Sequence, residues 1–329
     1  MRIVFHGENA ACFSGDFERL VGGDARIAVL PDVLASAADL DAYARAEAIV
    51  GVRFGRDLPR PERLELFHVP GAGYDAVDLA ALPAATVACN CFGHEQPIAE
   101  YVMAALLAHH VPLADADAKL RQGTWAYSAG RTERVHGEIA GKTIGLLGYG
   151  HIGRAIAARA KAFEMRVHVA NRSPVAPSGI VDRSFPLDGL AEFWASAELF
   201  VVSLPLSAGT TGIVGAAAFD AMPPSAVVVN VGRGPTIDER ALYEALRSRR
   251  IAGAIIDTWY RYPSPAQPDA LPSTLPFHTL PNVVMTPHMS GWTAGTIRRR
   301  QHVIADNIRR RAEGRPCVNV IREAMVRAG

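Results

Sequence analysis

The sequence has no run of about 18 apolar residues, which excludes a helix that spans a bilayer. Residues 1–5 run into Gly7 and Glu8 without the long apolar core of a secretion signal, so they are read as a β-strand. An excess of charge of one sign is missing too. Lys and Arg number 34 against 33 Asp and Glu, a net charge of +1, so neither nucleic acid nor an anionic membrane is expected as a partner. Two Arg runs, 298–300 and 309–311, lie among Ile297, Val303, Ile304 and Ile308 at helical spacing and are read as the solvated face of a helix. Cysteine is scarce. Cys12, Cys89, Cys91 and Cys317 lack the spacing of metal ligands, and no metal site is expected. Cys89 and Cys91, two apart in a strand-like run, are expected to be buried thiols sharing one face, which points to the cytoplasm as compartment.

What the chain does have is 329 residues, 49% hydrophobic and 20% charged, too many for one ordinary core. Short apolar runs at 2–5, 26–30, 48–52, 64–69 and 86–88 alternate with helical patterns such as 37–46. This alternation predicts a parallel sheet with helices on both sides. A long helix is predicted to begin at Pro97, a fitting first helical residue. The pattern restarts at Gly141, with six strands near Thr143, Arg166, Leu199, Ala226, Ala252 and Val283, then a helix over 293–312. The expected fold is α/β, with two doubly wound parallel-sheet domains. One comprises 1–97 with 292–329, and the other, 98–291, is inserted into it.

Gly148-Tyr-Gly150-His151-Ile152-Gly153 matches G-x-G-x-x-G, a weak pattern alone. Here it follows an apolar strand, 143–147, and opens a helix, 154–163, which is the context that a dinucleotide pyrophosphate needs. Gly148 permits the tight turn, Gly150 lets the backbone approach the phosphates, and Gly153 lets helix and strand pack closely. The helix N-terminus offers free N–H groups and a partial positive charge. The next strand ends at Asn171-Arg172-Ser173. An acid is usual here in NAD sites, where it accepts from the ribose 2′-hydroxyl. A neutral Asn, a cationic Arg and a hydroxyl suit a 2′-phosphate instead, so NADP(H) is expected over NAD(H). In the alternative, Arg172 stacks on the adenine and NAD(H) is used.

Three further segments carry chemistry. Residues 71–78 read Gly-Ala72-Gly73-Tyr-Asp-Ala-Val-Asp; residues 229–242 read Val-Asn-Val-Gly-Arg233-Gly-Pro-Thr-Ile-Asp-Glu-Arg-Ala-Leu; residues 286–291 read Thr-Pro-His288-Met-Ser290-Gly291. Arg233, between glycines at a strand end, is poorly placed for packing and well placed to grip a carboxylate and polarise a carbonyl oxygen. His288 ends another strand, and an imidazole of ordinary pKa, about 6.5, moves protons near neutrality. With the phosphate loop and Gly253-Ala-Ile-Ile-Asp257, these segments resemble the D-2-hydroxyacid dehydrogenase family in order and spacing over nearly the whole chain. The resemblance implies a Rossmann domain inserted into a flavodoxin-like substrate domain, and a homodimer. It implies hydride transfer between NAD(P)H and a small 2-keto or 2-hydroxy acid, with Arg233 stabilising the oxyanion and His288 as acid or base. It further implies that the amides of Ala72 and Gly73 receive the substrate carboxylate and that Pro205 flanks the nicotinamide ribose. Asp257, Ser290 and Gly291 would face the nicotinamide carboxamide; alternatively, Asp257 caps its strand.

The chain departs from that family in two places. Relatives carry a Glu that holds the histidine, but here Tyr262 stands in its place, in Asp257-Thr-Trp-Tyr-Arg-Tyr262-Pro263, and no glutamate lies between Glu244 and Glu313. Either Tyr262 orients the ring through its hydroxyl, or Asp269, on the Pro-rich loop 263–281, folds back to do so. Formate dehydrogenases, which share the fold, carry Gln here, so formate-like hydride transfer without a proton is one alternative function. A dinucleotide-sensing regulator with weakened chemistry is the other. The second departure is His94-Glu95, where relatives have small or neutral residues. Both are assigned to the substrate pocket; in the alternative they cap the helix or face solvent. Trp125 is expected to pack within its own chain; in the alternative it reaches across a dimer into a neighbouring pocket.

Overall fold

The computed structural model describes residues 1–264 and 267–324, so two residues of the Pro-rich loop and the last five of the chain lie outside the described residues. The chain divides into two compact units, Met1–Gly93 with Thr293–Gly329, and His94–Trp292.

In the first unit β1 (Arg2–His6), β2 (Arg26–Leu30), β3 (Ala48–Gly51), β4 (Leu66–His68) and β5 (Val87–Cys89) are parallel, in the order β5-β4-β3-β1-β2. That is a doubly wound order with its switch between β3 and β1. Side chains alternate along the strands. Ile3, Phe5, Ala48 and Val50 pack with Phe13, Phe17 and Ile304 on one face, and Val4 and Ile49 pack with Tyr43 and Phe67 on the other.

In the second unit β6 (Thr143–Leu147), β7 (Arg166–Ala170), β8 (Arg183–Phe185), β9 (Leu199–Val202), β10 (Val227–Asn230), β11 (Gly253–Ile256) and β12 (Val283–Met285) form one parallel sheet, ordered β12-β11-β10-β9-β6-β7-β8. Both faces are covered, with Phe200 and Val202 in one core cluster and Leu199 and Val201 in the other, which is why the central strands β9 and β10 read as apolar runs. Because all seven run the same way, every loop that leaves a strand C-terminus emerges on one edge of the sheet, where doubly wound sheets place ligands.

The expected parallel sheets are present, with differences. The second sheet has seven strands among the described residues, where the pattern predicted six. β8 is three residues long and two of them are polar, so it gives no periodic signal. A further strand, β13 (Val320–Arg322), pairs antiparallel with β5, so the first sheet is mixed. The long helix spans Glu95–His110, with Pro97 its third residue; a proline there costs nothing, since the first four N–H groups lack helical partners anyway. The helix after the phosphate loop starts at His151, earlier than 154. The last helix, Ala294–Ala312, begins where Thr293 Oγ1 accepts the Thr296 N–H at 3.1 Å.

Cys89 and Cys91 are buried free thiols, although Cys91 lies beyond β5 and its thiol points to the Val69 carbonyl at 3.6 Å. The Arg runs are only half solvated. Arg298, Arg299 and Arg309 are exposed, but Arg300, Arg310 and Arg311 are half-buried; Arg310 Nε, for one, donates to Asp306 at 2.6 Å. Trp125 does not pack within its chain: it is 67% exposed. The neighbouring helix Leu113–Arg121 has no buried residue, so this stretch offers the indole no core to enter. No helix among the described residues is long and apolar enough to cross a membrane.

Candidate active site

The loops on the shared edge of the second sheet carry most of the residues singled out above. Gly148 follows β6 with φ of 100°, a left-handed conformation that favours glycine. At Gly153 a Cβ would lie 2.3 Å from the Gly148 carbonyl oxygen, so only a glycine lets the helix start this close to the strand. At Gly150 a Cβ would meet nothing within 4 Å: the space in front of the helix is open. Gly150 is also the N-cap residue and supplies no side-chain cap. A helix start that is open, uncapped and reached from a parallel strand fits a dinucleotide pyrophosphate. Around it, His151 is exposed and Ile152 half-buried.

Asn171 does something the sequence did not reveal. Its Oδ1 accepts the Tyr149 N–H at 3.2 Å and its Nδ2 donates to the Ser173 carbonyl at 2.9 Å, so the carboxamide ties the loop after β7 to the phosphate loop. Arg172 and Ser173 are exposed beside it. Pro205, in the loop after β9, is exposed, and its carbonyl accepts the Thr210 hydroxyl at 2.7 Å.

Arg233 follows β10 and is half-buried. Asn230 builds its turn. Asn230 Oδ1 accepts the Gly232 N–H and Nδ2 donates to the Arg233 carbonyl, both at 3.1 Å, and the Thr236 hydroxyl donates to that carbonyl at 2.6 Å. Guanidinium Nη1 donates to the Gly232 carbonyl at 3.0 Å.

Asp257, at the end of β11, is fully buried. Its Oδ1 accepts the Thr286 hydroxyl at 2.6 Å and the Met289 N–H at 2.8 Å, and Oδ2 accepts the Ser290 N–H at 3.0 Å. The carboxylate therefore straps down the segment on either side of His288. Tyr101, on the long helix, meets the same Thr286 hydroxyl at 2.7 Å. That strap has a backbone to restrain, because His288 has φ of 57°, a left-handed conformation that costs a non-glycine residue about 1–2 kcal/mol.

Tyr262 reaches the imidazole, with its hydroxyl 3.0 Å from His288 Nδ1. The same hydroxyl oxygen accepts the Trp259 N–H at 3.2 Å, while the indole N–H of Trp259, which is itself buried, donates to the Thr286 carbonyl at 2.8 Å. Burial pushes the Tyr262 hydroxyl above its ordinary pKa; the Trp259 amide and the Arg233 charge pull the other way, and Asp257 adds a smaller push upward. Arg233, Asp257, Tyr262 and His288 thus share one electrostatic neighbourhood. Asp269, the alternative partner for His288, lines an open pocket of about 610 Å³ with Arg261, Leu271 and Ser273.

His94, just before the long helix, is buried rather than facing solvent, and a Cβ on Gly291 would lie 3.2 Å from its own Cβ. Glu95 is half-buried in the first turn. In the first unit, the loop after β4 is held by the Asn90 amide, which donates to the Ala72 carbonyl at 2.8 Å, and by the Cys91 N–H, which donates to the Gly71 carbonyl at 3.1 Å. Neither the Ala72 nor the Gly73 N–H donates a hydrogen bond among the described residues.

Sequence reasoning missed Asn230, Thr236, Thr286 and Trp259 as supports of the site. An Asn two residues before a glycine is a turn signal that was available, and the Thr236 contact is equally local, three residues from Arg233; the contacts of Thr286 and Trp259 depend on the tertiary fold.

Comparison with known proteins gives a consistent picture. A family model described as D-isomer specific 2-hydroxyacid dehydrogenase, NAD binding domain, matches residues 103–290. A glyoxylate/hydroxypyruvate reductase B of Escherichia fergusonii is 30% identical over 293 residues, which is 85% of this chain and 86% of the relative. A D-3-phosphoglycerate dehydrogenase of Methanocaldococcus jannaschii is 30% identical over 277 residues, 82% of this chain but 50% of the relative; the chain spans about half the length of that protein. A solved structure of an NADPH-dependent glyoxylate/hydroxypyruvate reductase from Sinorhizobium meliloti, in complex with NADP and malonate, covers 100% of this chain and 98% of its own at a TM-score of 0.78 and 27% identity.

Proposed function

The chain belongs to the D-isomer specific 2-hydroxyacid dehydrogenase family, and from that premise we propose that it reduces a small 2-keto acid, or oxidises the matching 2-hydroxy acid, with Arg233 and His288 acting on the substrate. The observation that carries this assignment is the cluster at the ends of β10, β11 and β12, where Tyr262 contacts His288 at 3.0 Å and the Arg233 charge acts on Tyr262. A reduced nicotinamide, when bound, supplies the hydride. The turn at Gly148 and the uncapped helix start at Gly150 would hold its pyrophosphate. Arg233 steadies negative charge as it develops on the carbonyl oxygen, and His288 supplies the proton. The amides of Ala72 and Gly73 are proposed to receive the substrate carboxylate, and His94 and Glu95 to shape substrate choice. A hydroxyl seated on the imidazole favours acid–base chemistry over formate-like transfer, which needs no proton.

The test is a spectrophotometric screen of 2-keto acids, from glyoxylate and hydroxypyruvate to larger ones, against both reduced cofactors. Turnover of at least one supports the assignment. Tight cofactor binding with no turnover overturns it in favour of a dinucleotide-sensing regulator.

We propose NADP(H) as the preferred cofactor. Exposed Arg172 and Ser173 support this, as does the absence of an acid at Asn171. A hydrogen bond to a charged group contributes about 1.5–3 kcal/mol, so Arg172→Ala is expected to weaken NADPH about 10- to 100-fold and NADH little. Titration of both by fluorescence checks this; equal losses would refute it.

We also infer a homodimer. Leu113 and Val135, each 74% exposed, and Trp125 place apolar surface on one stretch of the second unit, which a second copy would cover. Sedimentation should find a dimer, and the double variant Leu113→Asp, Trp125→Asp should shift it to monomer while cofactor binding persists. A monomeric wild-type protein would contradict the inference.

A further inference from the structure

We propose that Tyr262 is a proton relay for His288: its hydroxyl donates to Nδ1, fixes the neutral ring with its proton on Nε2, and passes the phenol's own proton to Nδ1 when Nε2 protonates the substrate oxygen. The relay rests on the assignment of His288 as proton donor and gives it a mechanism suited to this chain.

The Tyr262 oxygen lies 3.0 Å from Nδ1 and accepts the Trp259 N–H at 3.2 Å. A phenol offers one proton and two lone pairs, and the Trp259 amide takes one pair. Two arrangements remain: the phenol O–H donates to Nδ1, or an Nδ1–H donates to the phenol oxygen. The first joins the stronger donor to the stronger acceptor. A phenol, with an ordinary pKa of about 10, is much more acidic than a neutral imidazole N–H. An imidazole nitrogen, whose conjugate acid has a pKa of about 6.5, is much more basic than a phenol oxygen. The amide hydrogen bond to the phenol oxygen adds to the bias, because it polarises the O–H. An ionised carboxylate only accepts, and so would hold the proton on Nδ1. The tyrosine therefore reverses the resting tautomer that a glutamate would impose.

As the carbonyl carbon takes a hydride and the C=O π bond opens, the oxygen takes the proton from Nε2. Nδ1 takes the proton of Tyr262, which leaves the ring neutral and the phenol ionised. After the product departs, water protonates Nε2 and Nδ1 returns its proton to the phenolate, so one solvent proton enters per turnover. The charged groups acting on the phenol are Arg233, from the loop after β10, and Asp257, at the end of β11. Burial outweighs them and keeps the phenol protonated into the alkaline range. The donor works only while Tyr262 holds its proton, so reduction is lost as pH rises through the phenol's pKa, not the imidazole's.

Two measurements test the relay. In the first, keto-acid reduction is followed against pH. The wild-type rate should hold to about pH 9. In Tyr262→Phe the donor becomes the imidazolium, so the rate should fall as pH rises through about 6.5, reaching about 10²-fold below wild type near pH 9 while matching it in mild acid. Tyr262→Glu should move the fall about 1–3 units above that of the Phe variant. The second measurement needs no cofactor. Nitrogen NMR of the protein with labelled histidine, assigned by His288→Ala, should show the neutral His288 ring protonated on Nε2 in the wild type and on both nitrogens in exchange in Tyr262→Phe. A wild-type ring protonated on Nδ1, or a Phe variant with a uniformly lower rate and an unchanged pH profile, would overturn the relay. If the wild type reduces no 2-keto acid at any pH, the functional assignment falls and the relay falls with it, whatever tautomer the ring shows.

Discussion

Replacing His288 by alanine is expected to lower 2-keto acid reduction by about 10²–10⁴-fold, the range over which a positioned proton donor contributes. The loss should lie mainly in kcat, because the proton moves only as the oxygen becomes basic. NADPH affinity should stay within about twofold, since the imidazole belongs to the loop after β12 and the phosphate loop follows β6, with three strands between them in the sheet. The fold should tolerate the change. His288 is exposed, and the strap from Asp257 grips backbone amides, not the ring. The left-handed backbone at position 288 is strained for alanine as it is for histidine, so the melting temperature should move by only a few degrees. Stopped-flow reduction alongside cofactor titration would read both quantities. Near-wild-type kcat in this variant would remove His288 from the chemistry.

Arg233→Ala should cost about 10²–10³-fold in kcat, the loss found when one donor to a developing oxyanion is removed, with a rise in KM where the guanidinium also grips the carboxylate. Arg233→Lys should recover little of it, because an ammonium lacks the planar fork that can serve a carboxylate and a carbonyl together. The turn should survive either change: Asn230 and Thr236 hold the backbone carbonyl of residue 233, and neither contact uses the side chain. A lysine variant with full activity would show that charge alone suffices and that the two-pronged contact is wrong.

Much of this was legible in the sequence because the constraints are local. The spacing of Gly148, Gly150 and Gly153 encodes one turn and one close helix–strand approach, and both are present. The long helical repeat after Thr293 and the unbroken apolar runs of β9 and β10 announce themselves through periodicity and length. The replacement of a glutamate by Tyr262 was visible as a gap in a pattern; its contact with His288 was one of two options that the residues left open. What stayed hidden depends on partners far away in the chain. The hold of Asp257 on Ser290 spans 33 positions, and nothing near either residue encodes it. The carboxamide of Asn171 braces two loops, a use that appears only once β6 and β7 are adjacent. β8 and β13, three residues each, are too short for any period to show, and β13 owes its existence to the free edge of β5. Trp125 looked like core because it is large and apolar; its surroundings decide otherwise.

The interruption of the first unit by the second sets an order on biosynthesis. A ribosome completes the whole seven-stranded sheet before it has made the helix Ala294–Ala312 or β13, both of which the earlier, N-terminal sheet needs to cover Phe5, Phe13 and Phe17 and to occupy the edge of β5. The later-born unit can thus mature first, while the earlier-born one waits with an uncovered aromatic face and an open strand edge, the two features that invite chaperones or aggregation.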